Sequence, residues 1–378
     1  MKTKRHLNRR QFGLSSIATL SCASFGCSSE TASSENSLST DALHSRAQEA
    51  FKLAQNKGLP GCIMSIKVSD APQKLLALGI ANAETNTPIE TDMWMRVGSV
   101  TKLFVGYIAL RLVDEGALDL DAPLSKFRDD VPYGDRITLQ MLGNHTSGIY
   151  NPIYSEAFRK TINETPSRTI PRDEMLQVAF ENTTNSSGIG THLYSNANTA
   201  LVADIVERVT GASMPELLRQ YIFEDTITGG IEFSDSAALP SPYASGYRFG
   251  PEGGGVEYGN HFFDATAFSA SWADAAGNIN ARLPELLIAG LKIIKGEKLK
   301  PTTRAAQRDF LQVSKKYEYG FFLEKYGNIE GHAGDVPGFS SFVGWNPKTN
   351  TGLAVLTNLS NFKDRSSPAL QIAKAVFA

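Results

Sequence analysis

The stretch Arg96-Val97-Gly98-Ser99-Val100-Thr101-Lys102-Leu103-Phe104-Val105-Gly106-Tyr107-Ile108-Ala109-Leu110 decides how the chain is read. Apolar residues dominate from Leu103 to Val113 with a helical period, so Ser99 and Lys102 stand at the start of a helix. A spacing of three puts both side chains on one face, about a turn apart, where the helix start also supplies unpaired N–H groups and partial positive charge. A serine hydroxyl is a poor nucleophile at neutral pH, and a neighbouring amine of lowered pKa can activate it. The spacing alone is not decisive. Ser360-Asn361-Phe362-Lys363 repeats it among polar residues with no apolar helix behind.

Outward from this helix the chain changes character. Towards the N-terminus, Leu43, Ala47, Ala50, Phe51 and Ala54 keep one helical face that Thr40-Asp41 can cap and Gly58 can end. Two short apolar runs, Cys62–Val68 and Leu75–Ile80, follow as a strand pair around Ser69-Asp70-Ala71-Pro72. From Thr101 to about Glu224 helical periods dominate, in Thr138–Leu142, Leu201–Val209 and Pro215–Ile222, with long polar connections between them. Strand signals return at Tyr319–Leu323, Phe339–Trp345 and Gly352–Leu356, the last two joined by the hairpin loop Asn346–Asn350, and Pro368 opens a last helix. The pattern predicts an α/β (α+β) fold. One sheet is built from both termini, about residues 41–98 and 276–378, with a mainly helical domain inserted at about 99–275.

The 378 residues carry 37 Lys+Arg against 39 Asp+Glu. Five of those cations (Lys2, Lys4, Arg5, Arg9 and Arg10) lie at the N-terminus, and without them 32 positive groups face 39 negative ones, a net charge of −7. No basic stripe remains to displace counterions, so a nucleic-acid partner is excluded. Residues 1–27 read as an export signal: a basic stretch, an apolar one, then small residues around Cys22 and Cys27. Asn8-Arg9-Arg10-Gln11-Phe12-Gly13-Leu14 resembles the twin-arginine signal. Either cysteine is a candidate lipid anchor, with Cys27 favoured because the polar linker 28–40 follows it. The expected location is the periplasm or cell envelope. Cys62 alternates with Met64 and Ile66 and is read as core packing.

Several chemistries lack their parts. The chain has no H-E-x-x-H, no paired C-x-x-C, no G-x-x-x-x-G-K-[ST] and no G-x-S-x-G, so no metal, nucleotide or other cofactor is expected and a nucleophile elbow is absent. Gly250–Gly259 is glycine-rich without phosphate-loop spacing and is expected to be a mobile loop. Two further short motifs stand out. Tyr194-Ser195-Asn196 precedes the amphipathic stretch Leu201–Val209, and His332-Ala333-Gly334 precedes the Phe339 strand, where a glycine lets a substrate backbone lie along a strand edge.

Taken in order, Ser-x-x-Lys at 99–102, Tyr-x-Asn at 194–196 and His-x-Gly at 332–334 resemble the three motifs of the serine beta-lactamase and penicillin-binding superfamily. Gly79-Ile80-Ala81-Asn82 with Thr87-Pro88, Leu142-Gly143-Asn144-His145-Thr146-Ser147-Gly148, Ala244-Ser245-Gly246-Tyr247 and Gly338-Phe339-Ser340-Ser341 extend the likeness across about residues 45 to 375, to the branch of class C beta-lactamases, DD-carboxypeptidases and related esterases. The resemblance implies an antiparallel sheet flanked by helices, in the beta-lactamase/transpeptidase manner. It implies Ser99 as the nucleophile of an acyl-enzyme and Lys102 with Tyr194 as shared base, the ammonium favouring phenolate with His332 adding to it. It also implies substrate contacts from Asn196, His332, Gly334 and Asp335, the oxyanion being held by the N–H groups of Ser99 and Asp335. His145 is read as fixing its loop rather than as catalytic, and Tyr107 and Trp345 as packing.

Two departures bear on substrate. Relatives of this kind place hydroxyls or a cation near the third motif to engage a substrate carboxylate, where Ala333 and Asp335 offer a methyl group and a negative charge. Asn280-Ala281-Arg282 replaces a Ser-Thr pair before the next helix, which Asn280 is expected to cap. The expected function is therefore an exported serine hydrolase acting on a small-molecule or peptide acyl substrate, an ester or amide. D-alanyl-D-alanine carboxypeptidase or beta-lactamase activity, or an idle peptidoglycan-binding module, are the alternatives.

Overall fold

The computed structural model describes residues 39–223 and 229–378. The signal at 1–27, with Cys22 and Cys27, and the linker up to residue 38 lie outside the described residues.

Strands from both ends of the chain meet in a nine-stranded sheet whose neighbours are all antiparallel. Its spatial order is Thr87–Pro88, Lys74–Asn82, Gly61–Val68, Thr351–Thr357, Phe339–Asn346, Ile329–Val336, Glu324–Tyr326, Tyr317–Tyr319 and Leu311–Ser314. The seam between the two termini pairs Ile63 with Leu356 and Ile66 with Leu353. Side chains alternate across it as the pleat requires. Cys62, Met64, Ile66, Leu353 and Val355 pack towards the helices Thr40–Gln55 and Pro368–Phe377, whereas Ile63, Ala354 and Leu356 join the larger core on the other face. Cys62 is thus a buried packing thiol, with its pKa pushed up by loss of water.

The larger core is built around the helix Thr101–Asp114, buried at every position from Thr101 to Leu110. A helix hydrophobic on all sides must be surrounded. Here the helices Asn196–Thr210 and Leu283–Lys295 and the sheet enclose it. A small sheet of Met95–Arg96, Ile279–Ala281 and Ile231–Phe233 ties its approach to the rest of the chain.

Some local expectations change. The first helix is capped by Ser39, whose side chain accepts from the Ala42 N–H, rather than by Thr40-Asp41. Asn280 lies in the strand Ile279–Ala281 and donates to Glu232 Oε1 at 3.1 Å, so it caps nothing, and the following helix, Leu283–Lys295, carries Pro284 in its first turn. Tyr319 ends its strand, since Phe322 turns back at a φ of 47°. The polar connections contain two helices, Glu156–Glu164 and Arg172–Asn182, each burying only a few side chains such as Phe158 and Ile162 or Met175 and Leu176. Gly250–Gly259 links the paired strands Tyr247–Gly250 and His261–Asp264.

Candidate active site

Ser99 lies in a short 3-10 turn, Gly98–Val100, that runs straight into the buried helix. This turn abuts the strand Ile329–Val336 through two glycines. Gly98 adopts a φ of 50°, and a methyl group on it would stand 2.9 Å from the Asp335 amide nitrogen. A methyl group on Gly334 would stand 2.1 Å from the Val97 carbonyl oxygen and 2.8 Å from the Ser99 amide nitrogen. Only glycine permits so close a backbone approach. Ser341 strengthens the seam by donating to the Val97 carbonyl at 2.6 Å.

Lys102 is fully buried, and its Nζ donates to Ser99 Oγ at 3.0 Å, Asn196 Oδ1 at 3.0 Å and the Ala276 carbonyl at 2.8 Å. Loss of water brings its pKa down to about 7, with the negative charge of Glu324 pulling the other way. The same nitrogen lies 4.9 Å from the centre of the Tyr194 ring. Burial, followed by the charge of Glu324, holds the Tyr194 phenol well above its ordinary range, against the smaller opposing effect of the Ser99 side chain. This reverses the expectation of a phenolate favoured by an ammonium. The ammonium is itself disfavoured by the loss of water, so the amine is the group poised near neutrality.

The loop carrying Tyr194 is held from several sides. Ser195 Oγ donates to the Tyr150 carbonyl at 3.0 Å, Asn151 Nδ2 donates to the Tyr194 carbonyl at 3.3 Å, and Asn196 begins the helix Asn196–Thr210. His145, at a φ of 58°, accepts the Leu193 N–H on its carbonyl at 2.7 Å and the Ser195 N–H on Nδ1 at 3.3 Å. Its ring centre lies 4.3 Å from that of Tyr194. Those contacts are the ones a loop-fixing residue makes.

His332 is placed differently from the substrate contact expected of it. It is 1% exposed, its Nε2 pairs with the Tyr319 hydroxyl at 3.0 Å, its Nδ1 lies 2.6 Å from the Ala333 carbonyl, and burial lowers its pKa. The imidazole is therefore a neutral support behind the strand, neither a cation beside the phenol nor a ligand for substrate. Gly334 forms the seam with Ser99, and the Asp335 side chain is exposed.

Three residues escaped the sequence reading. Tyr319 and Glu324 sit around His332, and only their place in or beside an apolar strand signal marked them. Arg248, nearly buried, donates to the Val256 and Glu257 carbonyls, and it lines a cavity of about 100 Å³ together with Trp272, Asp335, Ser360 and Asn361. A cation thus stands near the third motif after all, supplied by a distant hairpin that no spacing could connect to it.

Known proteins resemble this chain in sequence and in fold. The D-alanyl-D-alanine-carboxypeptidase/endopeptidase AmpH of Escherichia coli (strain K12) is 28% identical over 185 residues, which cover 47% of this chain and 46% of AmpH. Esterase EstB of Burkholderia gladioli is 39% identical over 79 residues, 19% of this chain and 20% of EstB. The chain thus spans half the length or less of these two curated relatives. Among solved structures, a D-stereospecific amidohydrolase from Streptomyces sp. superposes with a TM-score of 0.76 at 24% identity, over 89% of this chain and 98% of that one. The penicillin binding protein from Bacillus halodurans gives 0.72 at 20%, over 87% and 99%. These two likenesses carry the fold. Since the Beta-lactamase family matches residues 47–377, almost everything beyond the N-terminal segment, the chain belongs to that family.

Proposed function

We propose that this protein is an exported serine hydrolase that cleaves an ester or amide through an acyl-enzyme on Ser99. The observation that carries the reading is the 3.0 Å contact between a buried amine of lowered pKa, Lys102, and the Ser99 hydroxyl. Once neutral, Lys102 keeps its two N–H donations to Asn196 and the Ala276 carbonyl and turns its lone pair to Ser99, whose proton it takes as Oγ attacks the substrate carbonyl. The oxyanion forms at the glycine seam, between the N–H groups of Ser99 and Asp335. Tyr194, kept as a neutral phenol, orients the hydroxyl and gives its proton to the leaving group as it takes the one Lys102 received from Ser99, so the phenol and the neutral amine are both restored. Water then attacks the acyl-enzyme by the reverse route. Asn196 holds Lys102 in register and meets the substrate's ester or amide arm.

Export, and an envelope location with a lipid anchor at Cys27 or Cys22, rest on the signal-like residues 1–27. A second reading, a D-alanyl-D-alanine carboxypeptidase, is favoured by Arg248, whose guanidinium is suited to a terminal carboxylate. Against it stands the Asp335 carboxylate in the same cavity wall. The test is a panel of p-nitrophenyl esters, D-amino-acid amides, a fluorescent penicillin and a fluorophosphonate, with mass spectrometry of the adduct. Label on Ser99 and loss of turnover in Ser99→Ala are expected. Ester turnover that survives Ser99→Ala would reject the mechanism, and ligand binding without any adduct would mark an idle binding module.

A further inference from the structure

Behind the nucleophile runs a buried chain of hydrogen bonds whose polarity its ends dictate. The Ser195 N–H can only donate, and it donates to His145 Nδ1 at 3.3 Å. Asn198 Nδ2 donates to the same nitrogen at 2.9 Å, and that amide is itself oriented by Ser147 Oγ donating to Asn198 Oδ1 at 2.7 Å. His145 therefore carries its proton on Nε2, which gives it to the Tyr319 oxygen across 3.1 Å. Tyr319 is fully buried, so its own O–H must find an acceptor, and His332 Nε2 at 3.0 Å is that acceptor. The proton of His332 then sits on Nδ1, facing the Ala333 carbonyl at 2.6 Å, a group that can only accept. Both ends demand the same direction.

A carboxylate stands where the chain ends. Glu324 Oε2 is 3.6 Å from His332 Nδ1 and accepts from the Ala333 N–H at 2.7 Å and the Tyr326 hydroxyl at 3.0 Å, while Oε1 accepts from the Tyr317 hydroxyl at 3.0 Å. Such a buried acid, with donors converging on it from its own strand and from both neighbouring strands, is costly to assemble unless it has work to do.

We propose that Glu324 is a positioning residue of the acyl-transfer site, anchoring the one-way chain through His332, Tyr319 and His145 that holds the ring beneath Tyr194 and placing a negative charge behind Lys102. The inference rests on reading Ser99 and Lys102 as nucleophile and base. Lys102 is faced by Tyr194, the two neutral histidines and Glu324 act on it at longer range, and Glu324 is the negative group among them, which favours its ammonium. Glu324 in turn faces Tyr317, Tyr326 and His332, and acts at longer range on Tyr194 and Asp335.

The chain is tested first in the unaltered protein, by ¹⁵N imidazole spectra between pH 6 and 8. His145 is expected as the neutral Nε2–H form and His332 as the neutral Nδ1–H form. An Nε2–H tautomer or an imidazolium at His332 at pH 7 would overturn the proposal, whether or not any variant folds. Glu324→Gln then tests the charge. The titration of Lys102, read from a ¹³Cε-lysine resonance, and the acidic limb of kcat/KM should both move to lower pH by roughly half a unit or more. Tyr319→Phe breaks the chain but keeps the charge, so it should lower kcat several-fold and leave the limb in place. A limb and a lysine titration unmoved in folded Glu324→Gln would sink the role of the charge. Lack of turnover on the whole substrate panel would instead count against the hydrolase reading, since tautomers and the lysine titration are read without substrate.

Discussion

Gly334 and Ser99 lie so close that a single methyl group on the glycine would stand 2.8 Å from the serine amide nitrogen. The methyl would also strike the Val97 carbonyl oxygen at 2.1 Å and Ser341 Oγ at 2.6 Å, and because two of these three atoms are backbone, the strand and the nucleophile turn would have to part. Gly334→Ala is expected to lower the rate of Ser99 acylation by a hundredfold or more and to cost about 1–3 kcal/mol of stability. Fluorophosphonate labelling rates and urea unfolding measure both. Acylation at the wild-type rate would show that the seam does not shape the oxyanion site.

The pH dependence follows from Lys102. A base must be neutral, and the amine loses its proton at about 7, so kcat/KM should fall tenfold per unit as pH drops below that value and level off above it. Stability carries the same signature. The folded pKa lies below the unfolded one, so between about 7 and 10.5 the unfolded chain binds more protons and the contribution of Lys102 to stability improves as pH rises. Relative to Lys102→Met, which should lose roughly 10²–10⁴ in turnover, the wild type should therefore gain stability across that window. A flat difference in denaturation midpoint would contradict a buried amine.

Tyr194→Phe separates the amine from the phenol. Because burial holds the phenol above its ordinary range, the variant should lose turnover roughly 10²–10⁴-fold while its acidic limb stays near pH 7. Disappearance of that limb would make tyrosinate the base.

Arg248 decides between the two substrate readings. If it meets a terminal carboxylate, Arg248→Ala should raise KM roughly tenfold, ~1.4 kcal/mol, for acyl donors that carry one and leave neutral esters unchanged. Asp335→Asn should act in the opposite sense on the same donors. Equal effects on charged and neutral substrates would assign both residues to packing.

Much of the fold was legible because burial repeats locally. The alternation of Cys62, Met64 and Ile66, and the fully apolar helix after Lys102, announce a sheet face and a surrounded helix. The helices Glu156–Glu164 and Arg172–Asn182 were not legible, since each is short, largely polar and buries only two or three side chains, too little apolar surface to stand out from the connections around it. The misread cap at Asn280 has a similar origin. Its amide found Glu232, 48 residues earlier, and no local rule reports such a partner.

The chain's own order determined that strands come from both termini, that helices lie between them, and that Ser99 and Lys102 stand together at the start of one helix, because these depend on spacing along the polymer. Which groups are charged was decided only by tertiary structure. The pKa of Lys102, the neutral state of Tyr194 and His332, and the nearness of Glu324 and Arg248 all depend on water being removed by segments hundreds of residues apart, and desolvation is a property of the assembled interior.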